Sequence, residues 1–100
     1  MFLVLLTYRK PLEEVDKFLD GHISFLDKYY EQKVFICSGR RNPRTGGVIL
    51  ANVKTEQEMQ AIIEEDPFYS HNLAEYEVIE FIPTKYDEIF SAFVANGKQA

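Results

Sequence analysis

Only one cysteine, Cys37, occurs in the 100 residues. That excludes an intrachain disulfide and a cysteine-cluster zinc site. The two histidines, His22 and His71, lie far apart in the chain and give no ligand spacing, so no metal and no cofactor is expected. No apolar run approaches the ~18 residues that a membrane span needs. The apolar opening, Met1 to Leu6, is short and lacks the basic flank and small-residue cleavage site of a signal peptide. Basic charge is scarce as well: 11 Lys and Arg stand against 16 Asp and Glu, for a net charge of −5. A protein that works on nucleic acid usually carries a basic field, so neither nucleic acid nor membrane is expected as a partner. Internal repeats, low-complexity tracts and linkers are also missing.

What remains is 46% hydrophobic and 14% aromatic, far too apolar for a disordered chain. A chain of this length buries roughly 65% of its unfolded surface, enough for one core. The expectation is one soluble, cytoplasmic domain over residues 1–95, with 96–100 as a frayed tail.

Phe2 to Tyr8 is a continuous apolar run of strand length, as in a strand covered on both faces. Pro11 suits the first position of a helix, and Glu13 and Glu14 favour its first turn. Val15, Phe18, Leu19, His22, Leu26 and Tyr29 then fall on one helical stripe, with Phe25 and Tyr30 at its flanks. Gly21 weakens that helix by roughly 1 kcal/mol and marks a place for close packing. Lys33–Ser38 reads as a second strand. Gly39–Gly47 reads as a loop turning at Gly46-Gly47, and Val48–Val53 as a third strand. Thr55-Glu56-Gln57-Glu58 matches a capping box and opens a second helix carrying Met59, Ile62 and Ile63. Asp66-Pro67 stops it. Glu75–Ile82 alternates like a strand. After Pro83, Thr84–Asp87 caps a short helix with Ile89, Phe90 and Phe93, and Asn96-Gly97 is its stop.

The order β-α-β-β-α-β plus a C-terminal helix, with right-handed crossovers, gives a ferredoxin-like α+β sandwich with both main helices on one sheet face. The first and third strands are apolar on both faces. A bare face drawn from Phe2, Val4, Leu6, Ile49 or their neighbours is a large exposed patch. A second copy packed across a two-fold axis covers it, so a homodimer is expected, unless the C-terminal helix takes part of that face.

Two residues carry the clearest chemistry. His22 lies on the apolar stripe, so its imidazole points toward the sheet; it is either a core histidine or a general acid–base group. Asp66 closes the second helix; it is either a helix-terminating residue bonded to nearby backbone or the carboxylate that orients His22, in the manner of a triad's third member. No serine or cysteine is placed as an obvious nucleophile. Ser38 ends its strand beneath the helices, where its hydroxyl either caps the turn or meets a substrate or His22. Arg40, Arg41 and Arg44 form either a solvated loop tip or a clamp for a substrate carboxylate. Cys37 reads as a buried small hydrophobe and His71 as exposed.

The helical His22, Ser38-Gly39, Pro43-Arg44-Thr45-Gly46-Gly47, Asp66-Pro67-Phe68 and the strand Tyr76-Glu77-Val78-Ile79-Glu80-Phe81 together resemble the YciI-like family over residues 1–83. The resemblance implies a dimeric α+β barrel with a His–Asp active site, carried here by His22 and Asp66. It also implies small-molecule elimination or isomerisation. Two functions follow. One is an enzyme in which His22 moves a proton on a small anionic organic molecule while Ser38 and Arg44 bind it. The other is a non-catalytic dimer, binding a metabolite or a partner protein, in which His22 and Asp66 clamp the helices. An open pocket with both side chains at its floor favours the first; sealing by Phe18, Phe25 and Phe68 favours the second.

Overall fold

A computed structural model describes residues 1–94. Its elements are β1 (Phe2–Tyr8), α1 (Leu12–Asp16), α2 (Leu19–Glu31), β2 (Phe35–Arg40), β3 (Gly46–Ala51), α3 (Glu56–Ile63), α4 (Pro67–Ser70), β4 (Ala74–Glu80) and a 3₁₀ helix, Glu88–Phe93. The four strands form one antiparallel sheet in the order β2-β3-β1-β4. This is the ferredoxin-like α+β arrangement expected from the element order. The expected stop at Asn96-Gly97 and the tail 96–100 lie outside the described residues.

Alternation along β1 decides which residues form the core. Phe2, Val4 and Leu6 are buried, while Leu3 and Leu5 between them are only half-buried. The register sets Val4 opposite Ile49 and Val78, and Leu6 opposite Gly47 and Tyr76. The core then closes with Val15, Phe25, Tyr29, Met59, Ile63 and Phe68. Phe2, Val4, Leu6 and Ile49 therefore belong to the core rather than to a bare face. Leu3, Leu5, Val48 and Leu50, which pair across β1 and β3, occupy the other face. Cys37 pairs with Leu50 on that side and is exposed, not buried. A bulge between Phe35 and Cys37 shifts the register there and interrupts simple alternation.

Several boundaries differ from the sequence reading, each for a local reason. The first helix is two helices. Phe18 leaves helical geometry (φ −112°, ψ 9°), and its ring stacks on His71 with centroids 4.0 Å apart. Pro11 caps α1 from outside rather than occupying its first turn. Gly46 and Gly47 are not a turn; they begin β3. A Cβ at Gly46 would lie 1.8 Å from the Leu6 carbonyl oxygen, so the glycine is required by the close approach of β3 to β1. Thr55 caps α3, accepting from the Glu58 amide at 3.1 Å, as the capping motif predicts. Asp66 does not end that helix. It caps the next one, α4, by accepting from the Phe68 amide at 3.0 Å. Asp87 caps the final segment, which is 3₁₀ rather than α. No helix among the described residues is long and apolar enough to cross a membrane.

Candidate active site

Helix α2 lies over the sheet with Phe25 and Tyr29 buried beneath it, and the next residues toward its start meet α4. Gly21 makes that meeting possible. A Cβ there would sit 3.0 Å from the Pro67 side chain, so a larger residue would hold the two helices apart. The residue after Gly21 is His22, and the residue before Pro67 is Asp66. The Gly–Pro contact thus sets the two functional candidates face to face.

The His22 Nδ1 lies 2.9 Å from Asp66 Oδ1. Its ring stacks almost parallel on Phe68, with centroids 4.1 Å apart and planes inclined by 3°. The aromatic stack fixes the ring plane and the carboxylate fixes its rotation within that plane. Asp66 is the only charged residue in the buried core of the described chain, at 0% exposure. It makes three hydrogen bonds. Oδ1 takes His22 and the Phe68 amide, and Oδ2 takes the Tyr76 hydroxyl. A buried carboxylate is tolerated only when paired and hydrogen-bonded in this way. Tyr76 was not identified from sequence as a site residue. The alternation of β4 places it on the helix side, but nothing in that pattern marks its hydroxyl as a donor. Burial, reinforced by the Asp66 charge, pushes the Tyr76 phenol far above its ordinary ionisation range, so it remains an O–H donor.

The His22 side chain is 13% exposed, and that exposure opens onto a cavity of about 660 Å³. The volume suits a small organic ligand. Leu6, Leu19, Leu26, Ile49 and Phe68 give it an apolar lining, with Ser38, Arg40 and Arg44 as polar groups toward β2 and β3. Asp66 does not line the cavity. The site therefore combines both alternatives posed by the sequence: the imidazole is open to a pocket and its carboxylate partner is sealed behind it.

The other site candidates make contacts within the chain that the sequence did not show. The Ser38 hydroxyl bonds the Tyr30 hydroxyl at 2.6 Å, not His22. Arg44 reaches the cavity from its own chain. Its guanidinium lies over the Tyr8 ring at 6.0 Å and is engaged by Asp16, which accepts at 2.6 Å. Arg41 donates to the Thr7 hydroxyl at 3.0 Å. Arg40 carries no ion pair among the described residues. His71 is exposed and stacks on Phe18. No cluster of three or more metal-ligating side chains is found among the described residues.

Comparison with known proteins bears on the fold and the family. No curated protein matches the chain. A solved structure does: the 5-chloro-2-hydroxyhydroquinone dehydrochlorinase TftG from Burkholderia phenoliruptrix, in complex with 2,5-dihydroxybenzoquinone. The TM-score is 0.69 at 16% identity, over 89% of this chain and 98% of that one. At that identity the likeness is one of fold. The model of the YCII-related domain matches residues 1–82, and that span contains every element from β1 to β4 together with His22, Asp66 and all the residues that line the cavity. This chain belongs to the YCII-related family.

Proposed function

We propose that the chain is a small-molecule enzyme in which His22 takes up and returns a proton through Nε2 while Asp66 holds the ring. The observation that carries the reading is the pairing of His22 Nδ1 with a fully buried carboxylate at 2.9 Å, at the wall of an open apolar cavity. With Nδ1 committed to Asp66, Nε2 is the nitrogen left for a ligand. General acid–base action of this kind contributes typically 10²–10⁴-fold in rate. The reaction class is elimination or isomerisation. The fold neighbour is a dehydrochlorinase, which makes elimination the first class to test.

The substrate is a small organic molecule, largely apolar and negatively charged at one end. The apolar lining takes its body. Arg40, free of ion pairs among the described residues, and Arg44 supply the positive charge at the rim. An anion held by Arg44 has to compete with Asp16. The Ser38 hydroxyl, shared with Tyr30, offers a further polar contact.

The test is a thermal-shift screen of small anionic organic compounds on wild type and on His22→Ala. A compound that stabilises wild type only, and is then consumed by wild type and not by the variant, supports the enzyme. Turnover retained in His22→Ala removes His22 from the chemistry. A second reading has its own support, because Asp66 is sealed and tied to α2, α4 and β4 at once. In that clamp reading His22→Ala lowers stability and no bound compound is consumed by either form.

The open sheet face supports a homodimer. Leu3, Leu5, Val48 and Leu50 are half-buried in one chain, and Ile79 and Phe81 are 39% and 40% exposed. A second copy across a two-fold axis covers this patch. Sedimentation equilibrium then gives twice the chain mass for wild type and the single mass for Leu5→Glu.

A further inference from the structure

Asp66 has no lysine or arginine partner among the described residues. Its negative charge is balanced by hydrogen-bond donors and by whatever proton the imidazole carries. Two states compete while the imidazole is neutral, and they differ by one proton exchanged with solvent. In the first, Asp66 is a carboxylate and His22 carries hydrogen on Nδ1, leaving a lone pair on Nε2. In the second, Asp66 is a neutral acid donating from Oδ1 to a bare Nδ1, and the imidazole hydrogen sits on Nε2. Only the first leaves Nε2 free to accept a proton from a ligand.

We propose that Tyr76 is a positioning residue that selects the first arrangement, by donating its hydroxyl hydrogen to the Asp66 oxygen that His22 does not touch. Tyr76 acts through Asp66 and has no contact with the ligand. The inference rests on the reading of His22 as the proton-moving group.

The geometry supports it from three sides. The hydroxyl bonds Oδ2, while His22 and the Phe68 amide, which donates at 3.0 Å, share Oδ1. Donors on both oxygens favour the anionic carboxylate over the neutral acid. The Tyr76 ring is held edge-on to Tyr69, with centroids 5.5 Å apart, and its backbone is fixed opposite Leu6 in the sheet. The hydroxyl is therefore delivered from the rigid strand layer to a carboxylate carried by the helix layer. It keeps its hydrogen, because burial and the adjacent carboxylate both oppose ionisation of the phenol.

The experiment is nitrogen NMR of the full chain labelled at histidine, at a pH where the His22 ring is observed to be neutral. Wild type, Tyr76→Phe and Tyr69→Phe are compared at one identical pH, because the two states differ by a proton. Wild type shows hydrogen on Nδ1. Tyr76→Phe lowers the ratio of Nδ1–H to Nε2–H forms by about tenfold, the size expected for loss of a charge-assisted hydrogen bond. Tyr69→Phe, which keeps its ring and loses a hydroxyl that does not touch Asp66, leaves the ratio unchanged. An unchanged ratio in a folded Tyr76→Phe overturns the role of Tyr76 alone. Hydrogen on Nε2 in wild type overturns the His22–Asp66 reading beneath it. Wild type supplies a test that needs no variant: a slowly exchanging Tyr76 hydroxyl proton is required, and rapid exchange of that proton overturns the proposal.

Discussion

The floor and the rim of the cavity each hold one acid–base pair, and the two pairs differ in solvation. At the floor, His22 and Asp66 are separated by 2.9 Å, with side chains 13% and 0% exposed. At the rim, Arg44 and Asp16 are closer, at 2.6 Å, but 30% and 49% exposed. By distance alone the rim pair is the tighter one. Its attraction is weakened by water and salt, and exposed pairs generally contribute little. The floor pair lies where an unpaired charge has nowhere to go, so breaking it is expensive even though forming it gains little. Solvation, not separation, decides which pair the fold depends on. The same difference suits their proposed roles: a fixed imidazole at the floor, and an arginine at the rim that is able to exchange Asp16 for a ligand's anion.

The largest effect is expected at the floor. Asp66→Ala leaves His22, the Tyr76 hydroxyl and the Phe68 amide without their shared acceptor. Denaturant unfolding should show a loss of about 3–5 kcal/mol; a loss indistinguishable from that of a rim substitution breaks the contrast between the two regions. A middle effect is expected from Gly21→Leu, which pushes a side chain into Pro67. It costs roughly 1–3 kcal/mol and moves α2 away from α4. A His22 ring signal that changes in this variant sharpens the view that helix approach sets the floor. An unaltered ring signal separates the two. The smallest effect belongs to the rim. Asp16→Asn should leave the denaturant midpoint unchanged within error, and should increase the affinity of small organic anions at low salt by freeing Arg44. If it destabilises the protein as much as Gly21→Leu does, the rim is structural and the comparison fails.

Much of the fold was legible in the residues. Capping at Thr55 and Asp87, the four apolar strand segments and the element order follow from local rules of hydrogen bonding and periodicity. Boundaries were less legible where tertiary contacts outweighed local preference. The Phe18–His71 stack splits a helix whose periodicity runs on without a break. The approach of β3 to the Leu6 carbonyl turns a glycine pair that reads as a turn into strand. In the site, the helical stripe put His22 on the inward side, the position of Asp66 after the second helix made it a candidate partner, and the family resemblance sharpened that pairing. The Arg44–Asp16 pair and the Ser38–Tyr30 bond were not visible, because each joins groups whose approach is set by packing between elements. The Asp66 cap on Phe68 is local, two residues apart, and reads equally well as the stop of the preceding helix.

The chain alone determined which elements form, which sides of them are apolar, and that a titratable ring lies on a buried side. Those properties depend on neighbours one to four residues away, and spacing along the chain records them. Only the tertiary structure decided that this ring meets a carboxylate 44 residues distant, that a tyrosine on the far strand holds the carboxylate's other oxygen, and that water reaches the ring but not its partner. Hydrogen bonds act over about 3 Å, and distances of that order between separate helices and strands are fixed by how closely their surfaces pack.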